Sequence, residues 1–190
     1  METFTEQELI ETKALQRIIA NPEYTVTFLT TAAESGNRLT DMEIELRPGG
    51  GNGLHKHLNF TETFIPIEGA LEVQIGKNKL LLEPGEQYTV PIGMPHNFAN
   101  PGSKPIRFRV VIEPGHKGFE YSLRMLYGLA NDGRAEIRTW DDLLRASVIL
   151  MISDMRLSGT KALINPFLPF LYRLAREKGY DLDMIKKYCI

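Results

Sequence analysis

The 190-residue chain is predicted to be mainly β, with a small antiparallel sandwich or barrel over about residues 40–115 and helical segments on either side. Three observations predict this. In the middle of the chain, short strand-like pieces (ETFIPIEG, ALEVQIG, NKLLLEPG, QYTVPIG, HNFANPG, PIRFRVVIEPG) recur with glycine or proline turn signals every ~8–12 residues. None is long enough to form a helix between strands, which excludes βαβ units. Beyond Pro114 the apolar spacing changes to that of amphipathic helices.

Taking the elements in order, Thr5 and Glu8 have capping-box spacing, and Leu9, Leu15, Ile18 and Ile19 suggest a short helix ending before Asn21-Pro22. From Tyr24 the period is that of strands. Met42, Ile44 and Leu46 take one face of the second, and Glu43 and Glu45 the other. Gly76-Lys77-Asn78 reads as a hairpin tip, and Pro66 inside a strand-like run implies an edge position or a bulge. On the strand over 106–112, Phe108, Val110 and Ile112 share one face and Arg107 and Arg109 the other, with parity leaving the inner face open. A helix broken at Asn131-Asp132-Gly133 follows. Thr139 and Asp142 then open a longer one over roughly 140–156, with two further helices to the end of the chain. The expected organisation is a helical segment over 1–23, a β domain over 24–116 and a helical extension over 117–190 that packs on the β domain or on a second subunit.

Composition narrows the function classes. Hydrophobic residues at 43% and charged residues at 24% are ordinary for a globular protein with one principal domain. The 22 basic and 24 acidic residues are scattered, so no concentrated positive face invites nucleic acid. The start METFTEQELIETKALQ lacks the basic-then-apolar run of a secretory signal, and the apolar stretch ASVILMI is far short of the ~20 residues of a membrane span. The expectation is a cytoplasmic protein without membrane or nucleic-acid partners. Cys189 is the single cysteine, so no intrachain disulfide can form.

Three of the four histidines lie in the strand-rich centre. His55 and His57 are two apart, which places both imidazoles on one face of an extended chain. Glu62 follows after a gap long enough for a bend, and His96 arrives from a later strand. Three imidazoles and a carboxylate suit Fe(II), Mn(II), Ni(II), Co(II) or Zn(II). Taken alone, His-Lys-His is as readily a polar strand patch.

The spacing around these residues resembles the cupin superfamily. The first motif of that family appears as GGGNGLHKHLNFTETFIPIEG, with Gly49, His55, His57, Glu62 and Gly69 in register, and the second as GEQYTVPIGMPHNFAN, with Gly85, Pro91, Gly93, His96 and Asn100. The resemblance implies a cupin-type double-stranded β-helix, that is, a jelly-roll barrel, with N-terminal and C-terminal helices. It also implies one divalent metal ion per subunit on His55, His57, Glu62 and His96, and a homodimer. Fe(II) or Mn(II) is favoured, with Zn(II) or Ni(II) as substitutes. Gly69, Gly85 and Gly93 are expected at turns with positive φ, and Asn100 is expected to fasten backbone.

If His96 points inward, strand parity turns Phe98 inward, and Glu62 likewise selects Phe64; these rings either wall a pocket or fill the core. His116 is either a base near the site or a loop residue without mechanism. The functional expectation is a metal-dependent dioxygenase acting on a small organic molecule able to chelate the metal, with Glu62 as a catalytic group. A redox-neutral isomerase or cyclase, with Glu62 or water taking the proton, and a non-catalytic small-molecule binding or sensing module are the alternatives.

Overall fold

The structure is a computed structural model that describes residues 17–190. Residues 5–16 of the helix expected from Thr5 lie outside the described part. The remainder of that expectation is corrected: Ile18–Ala20 is a strand, β1, paired antiparallel with β2 (Tyr24–Thr30). The turn between them explains the change. Asn21 N–H donates to the Tyr24 carbonyl at 2.9 Å and the Asn21 side chain accepts from the Glu23 and Tyr24 amides at 2.8 Å each, folding the chain back into a hairpin.

The strands that follow are β3 (Thr40–Leu46), β4 (His55–His57), β5 (Thr61–Glu68), β6 (Leu71–Ile75), β7 (Asn78–Leu82), β8 (Tyr88–Val90), β9 (His96–Ala99), β10 (Ile106–Glu113) and β11 (Met155–Leu157). They form two antiparallel sheets, one ordered β1-β2-β3-β10-β5-β8 and the other β11-β4-β9-β6-β7. The fold is therefore mainly β with C-terminal helices, but the expected closed barrel is not formed. Among the described residues no ladder joins the two sheets; β1 and β8 end one, and β11 and β7 end the other.

The interior supplies the physical reason. Hydrogen-bonded strands lie about 4.8 Å apart, whereas sheets meeting through side chains stand about 10 Å apart. Here Phe64 and Phe108 from the first sheet meet Phe98 from the second, with ring centroids 5.8 Å and 5.2 Å apart. All three rings belong to one buried core with Val26, Phe28, Met42, Leu46, Leu71 and Val73.

Parity on β10 is settled by burial: Phe108, Val110 and Ile112 face the core, while Arg107 and Arg109 face outward. Arg109 Nε donates to Asp41 at 2.6 Å across the β10–β3 pair. Pro66 is accommodated beyond the end of β8, where the β10–β5 register shifts between Arg107 and Phe108.

The C-terminal elements are α1 (Lys117–Asn131), α2 (Trp140–Ile152), a 3-10 helix (Gly159–Phe167), α3 (Leu168–Glu177) and α4 (Tyr180–Tyr188). The capping box at Thr139 and Asp142 is present. The second helix stops at Ile152, however, and not near residue 156, because Asp154 takes a left-handed φ of 56° and Met155–Leu157 leaves as β11. Met125, Leu144, Val148, Leu171 and Met184 form a second apolar core among the helices. Full burial of a leucine such as Leu144 contributes about 1.5–3 kcal/mol. Among the described residues no helix is long and apolar enough to cross a membrane.

Candidate metal centre

The four donors come from both sheets. His55 and His57 lie on β4 with both side chains buried, and Lys56 between them is turned outward. β9 brings His96 directly opposite His55. Gly93, with φ of 78°, forms the turn before β9, and its amide donates to the His57 carbonyl at 2.7 Å, which ties that turn to β4. Glu62 arrives from β5 of the other sheet, paired with Ile112 and Val90. One ligand atom from each of the four lies within 4.8 Å of the others, and all four residues are buried.

The ring orientations follow from the backbone. His55 Nδ1 faces the Gly53 carbonyl at 2.8 Å and His96 Nδ1 faces the Met94 carbonyl at 2.9 Å. Carbonyls only accept, so these partners place hydrogen on Nδ1 and turn Nε2 toward the cluster. His57 Nδ1 is buried and, among the described residues, forms no hydrogen bond of ordinary geometry, although the Ser153 backbone favours a proton on that ring. The inward atoms stand close: His55 Nε2 to His57 Nε2 at 3.1 Å, His96 Nε2 to Glu62 Oε2 at 2.8 Å, and His57 Nε2 to Glu62 Oε2 at 3.7 Å.

Burial, the largest influence, pushes His55 down to about 4 and His57 down to about 3, so both rings are neutral at physiological pH. Burial is the largest single influence on Glu62 and His96 as well and works against their charge, but the hydrogen bond between them together with the attraction of opposite charges and the Met94 carbonyl reverses it, holding the Glu62 carboxyl below its ordinary value and His96 above. Neutral imidazoles and an ionised carboxylate are the protonation states that metal ligands require. Once the proton between His96 and Glu62 leaves, three Nε2 lone pairs and a carboxylate face one another, and a cation among them would offset their repulsion. The residues present therefore fit a divalent ion.

Residues around the donors hold them in place. Phe60, fully buried, stacks on the His57 ring at 4.3 Å, and Phe119 of α1 meets the edge of both. The crossover from β4 to β5 is pinned by Asp154, whose Oδ2 accepts from the amides of Leu58 and Asn59 at 2.7 Å each. β11 pairs with β4, placing Met155 opposite His57 and Leu157 opposite His55. Sequence reasoning missed Phe60, Phe119 and Asp154. The signal available for Asp154 was a Ser-Asp pair after an apolar run, which marks a helix end and says nothing of what the carboxylate reaches.

The other singled-out residues have clear positions. Phe64 and Phe98 are buried in the core between the sheets, and the Phe64 ring stands 6.2 Å from His96. His116 caps α1, its Nδ1 accepting from the Phe119 amide at 2.9 Å, with its ring 5.1 Å from Phe60. Asn100 fastens backbone, donating to the Leu46 and Lys104 carbonyls at 3.0 and 2.8 Å and accepting from Gly102 at 2.9 Å. Gly69 and Gly85 have φ of 79° and 94°.

Comparison with known proteins covers the β domain. Residues 42–113 match the family model described as a cupin domain. The chain carries a cupin domain. That stretch contains both glycine-framed motifs and all four donors. The xanthan biosynthesis protein XanB of Xanthomonas campestris pv. campestris is 32% identical over 73 residues, which are 38% of this chain and 16% of that protein. The alginate biosynthesis protein AlgA of Pseudomonas syringae pv. tomato is 26% identical over 110 residues, 57% of this chain and 23% of the relative. The chain thus spans less than a quarter of the length of these curated relatives. Among solved structures, KdgF from Halomonas sp. is similar at a TM-score of 0.47 and 16% identity, covering 60% of this chain and 94% of that one. The oxalate decarboxylase of Lactobacillus farciminis, in a formate complex, is similar at a TM-score of 0.46 and 19% identity, covering 52% and 31%.

Proposed function

We propose that this cupin holds one divalent metal ion on His55, His57, Glu62 and His96, Fe(II) or Mn(II) before Zn(II) or Ni(II), and acts as a metal-dependent dioxygenase on a small chelating molecule. The observation that supports it is the convergence of four buried donors within 4.8 Å, with His55 and His57 kept neutral by burial. A divalent ion held by these four residues would supply a redox-active centre for a chelating substrate.

The chain's own residues do the rest. The Gly53 and Met94 carbonyls hold the His55 and His96 rings with Nε2 inward. His96 and Glu62 share a proton across 2.8 Å, which must leave when both become ligands, so metal uptake releases protons. Phe60 and Phe64 exclude water from two sides of the cluster. In this reading Glu62 is both a ligand and the carboxylate nearest to bound substrate. XanB and AlgA match over a stretch too short to carry their pathways across.

The test is the metal content of protein purified without an affinity tag, beside a His57→Ala variant whose fold is checked by circular dichroism. Near-stoichiometric iron or manganese, lost in the folded variant, is the expected result, followed by oxygen uptake that depends on an added chelating substrate. Metal no higher than in the variant, after anaerobic reconstitution with Fe(II), would overturn the metal reading. Turnover that persists without oxygen would overturn the dioxygenase one.

A further inference from the structure

A second site lies among the C-terminal helices. α1 and α2 pack antiparallel. At one end a Cβ on Gly118 would collide with the Ile152 carbonyl, and at the other Arg134 reaches Asp142 in the first turn of α2 at 3.3 Å. Between α1, α2, β11 and the 3-10 helix is a cavity of about 600 Å³, within the ~300–1,000 Å³ range of small-molecule sites. None of the four metal donors lines it. Its lining on α1 runs from Phe119 to Leu129, ten helical steps and so about 15 Å of helix.

The cavity is polarised along that length. Toward the sheets its walls are Phe119, Met155 and Leu157; Phe119 is also the ring that meets His57 edge-on, so one aromatic side chain separates cavity and cluster. At the far end stand Arg134 and Arg145; with Lys161 the lining holds three cations against the two acids Asp142 and Glu136, and Asp132 and Asp141 stand near the two arginines from outside it. Arg134 and Arg145 share the single carboxylate oxygen Oδ1 of Asp142, at 3.3 and 3.5 Å, while Oδ2 is committed to Thr139 and the Arg138 amide. Arg145 Nη1 is buried and, among the described residues, makes no hydrogen bond. Glu136, the other acid in the lining, is paired with Arg138 at 2.9 Å. The rim exposes Leu163 and Ile137, at 82% and 59%.

We propose that this cavity binds an amphipathic monoanion about 15 Å long, with a carboxylate-class head at Arg134 and Arg145 and its apolar end against Phe119. An anionic head gives the buried Arg145 nitrogen an acceptor and offsets the surplus cation. An apolar tail removes the lining from water.

The test is calorimetric titration of the full chain with decanoate and with its neutral analogue decanol, on metal-free and metal-loaded protein. Decanoate is expected to bind both forms. Arg145→Gln, which keeps the aliphatic stem but removes the charge and the guanidinium over Tyr180, should weaken decanoate roughly tenfold and leave decanol within about twofold. Ala146→Phe, which places a ring in the cavity, should abolish both. No decanoate binding to folded wild type, or decanoate binding unchanged in Arg145→Gln, would overturn the proposal. So would decanoate binding unchanged in folded Ala146→Phe. Because metal-free protein is tested too, failure of the metal reading leaves the result interpretable.

Discussion

Replacing Asp154 tests how the C-terminal segment supports the metal centre. Its carboxylate is 8% exposed and accepts two backbone N–H bonds at 2.7 Å, from Leu58 and Asn59, in the crossover between His57 and Glu62. A hydrogen bond to a charged group contributes about 1.5–3 kcal/mol, and two that share one oxygen add less than twice that. Asp154→Ala also leaves a residue with a Cβ and no polar side chain at φ of 56°, a conformation that costs roughly 1–2 kcal/mol. The expected destabilisation of metal-free protein is about 3–5 kcal/mol. Asp154→Asn keeps an acceptor oxygen and tolerates the left-handed backbone, so its loss should be about 1 kcal/mol. Urea unfolding followed by fluorescence and by circular dichroism measures both, with coincident transitions required before a free energy is assigned. Metal affinity should fall roughly 10–100-fold in the alanine variant and stay near wild type in the asparagine variant. An alanine variant within 1 kcal/mol of wild type, or equal to the asparagine variant, would refute the tether.

Phe60→Ala removes a fully buried ring stacked on His57 and should cost about 3–5 kcal/mol, whereas Phe60→Leu should cost much less; urea midpoints separate them. Glu120 Oε1 accepts from the Ala32 amide at 2.6 Å and the Thr40 hydroxyl at 2.7 Å, joining α1 to the first sheet. Glu120→Ala should therefore cost about 2–5 kcal/mol and expose the Ala32 amide to hydrogen exchange, and Glu120→Gln should largely spare both. Metal-free protein should lose stability as pH falls from about 6.5. The unfolded chain then protonates His55 and His57, while the folded rings resist until about 4 and 3. His96 has the opposite sign: its contribution is fully present below 6.5 and is lost as pH rises through its raised value. Glu62 adds a loss only as pH falls through its lowered value, below 4.5. Urea midpoints across this range check the direction, and an acid-side midpoint that rises would contradict it.

Local order explains what could be read without coordinates. Alternation along a strand is a property of a few consecutive residues, so it placed His55 and His57 on one face and aligned Phe98 with His96. Turn chemistry is equally local. Gly69, Gly85 and Gly93 were legible as positive-φ turns, and Thr139 with Asp142 as a helix start. The spacing of ten motif residues then brought Glu62 and His96 into the same set as the two strand histidines.

What remained depends on contacts between distant parts of the chain, which no local pattern encodes. Whether the two sheets close is decided by edge pairing, and the large rings between them leave both sheets with free ends. Ile18–Ala20 has the spacing of a helix but becomes a strand because β2 offers a partner. Met155–Leu157 leaves the helical register because the open edge of β4 satisfies its backbone groups. Asp154 reaches amides 95 and 96 residues earlier in the chain, and the helices enclose a cavity only once packed. The sequence by itself singled out the four residues that gather in the candidate metal centre and the strand character around them. Tertiary structure alone decided the open sandwich, the eleventh strand and the shell behind His57, because each depends on which surfaces meet after folding.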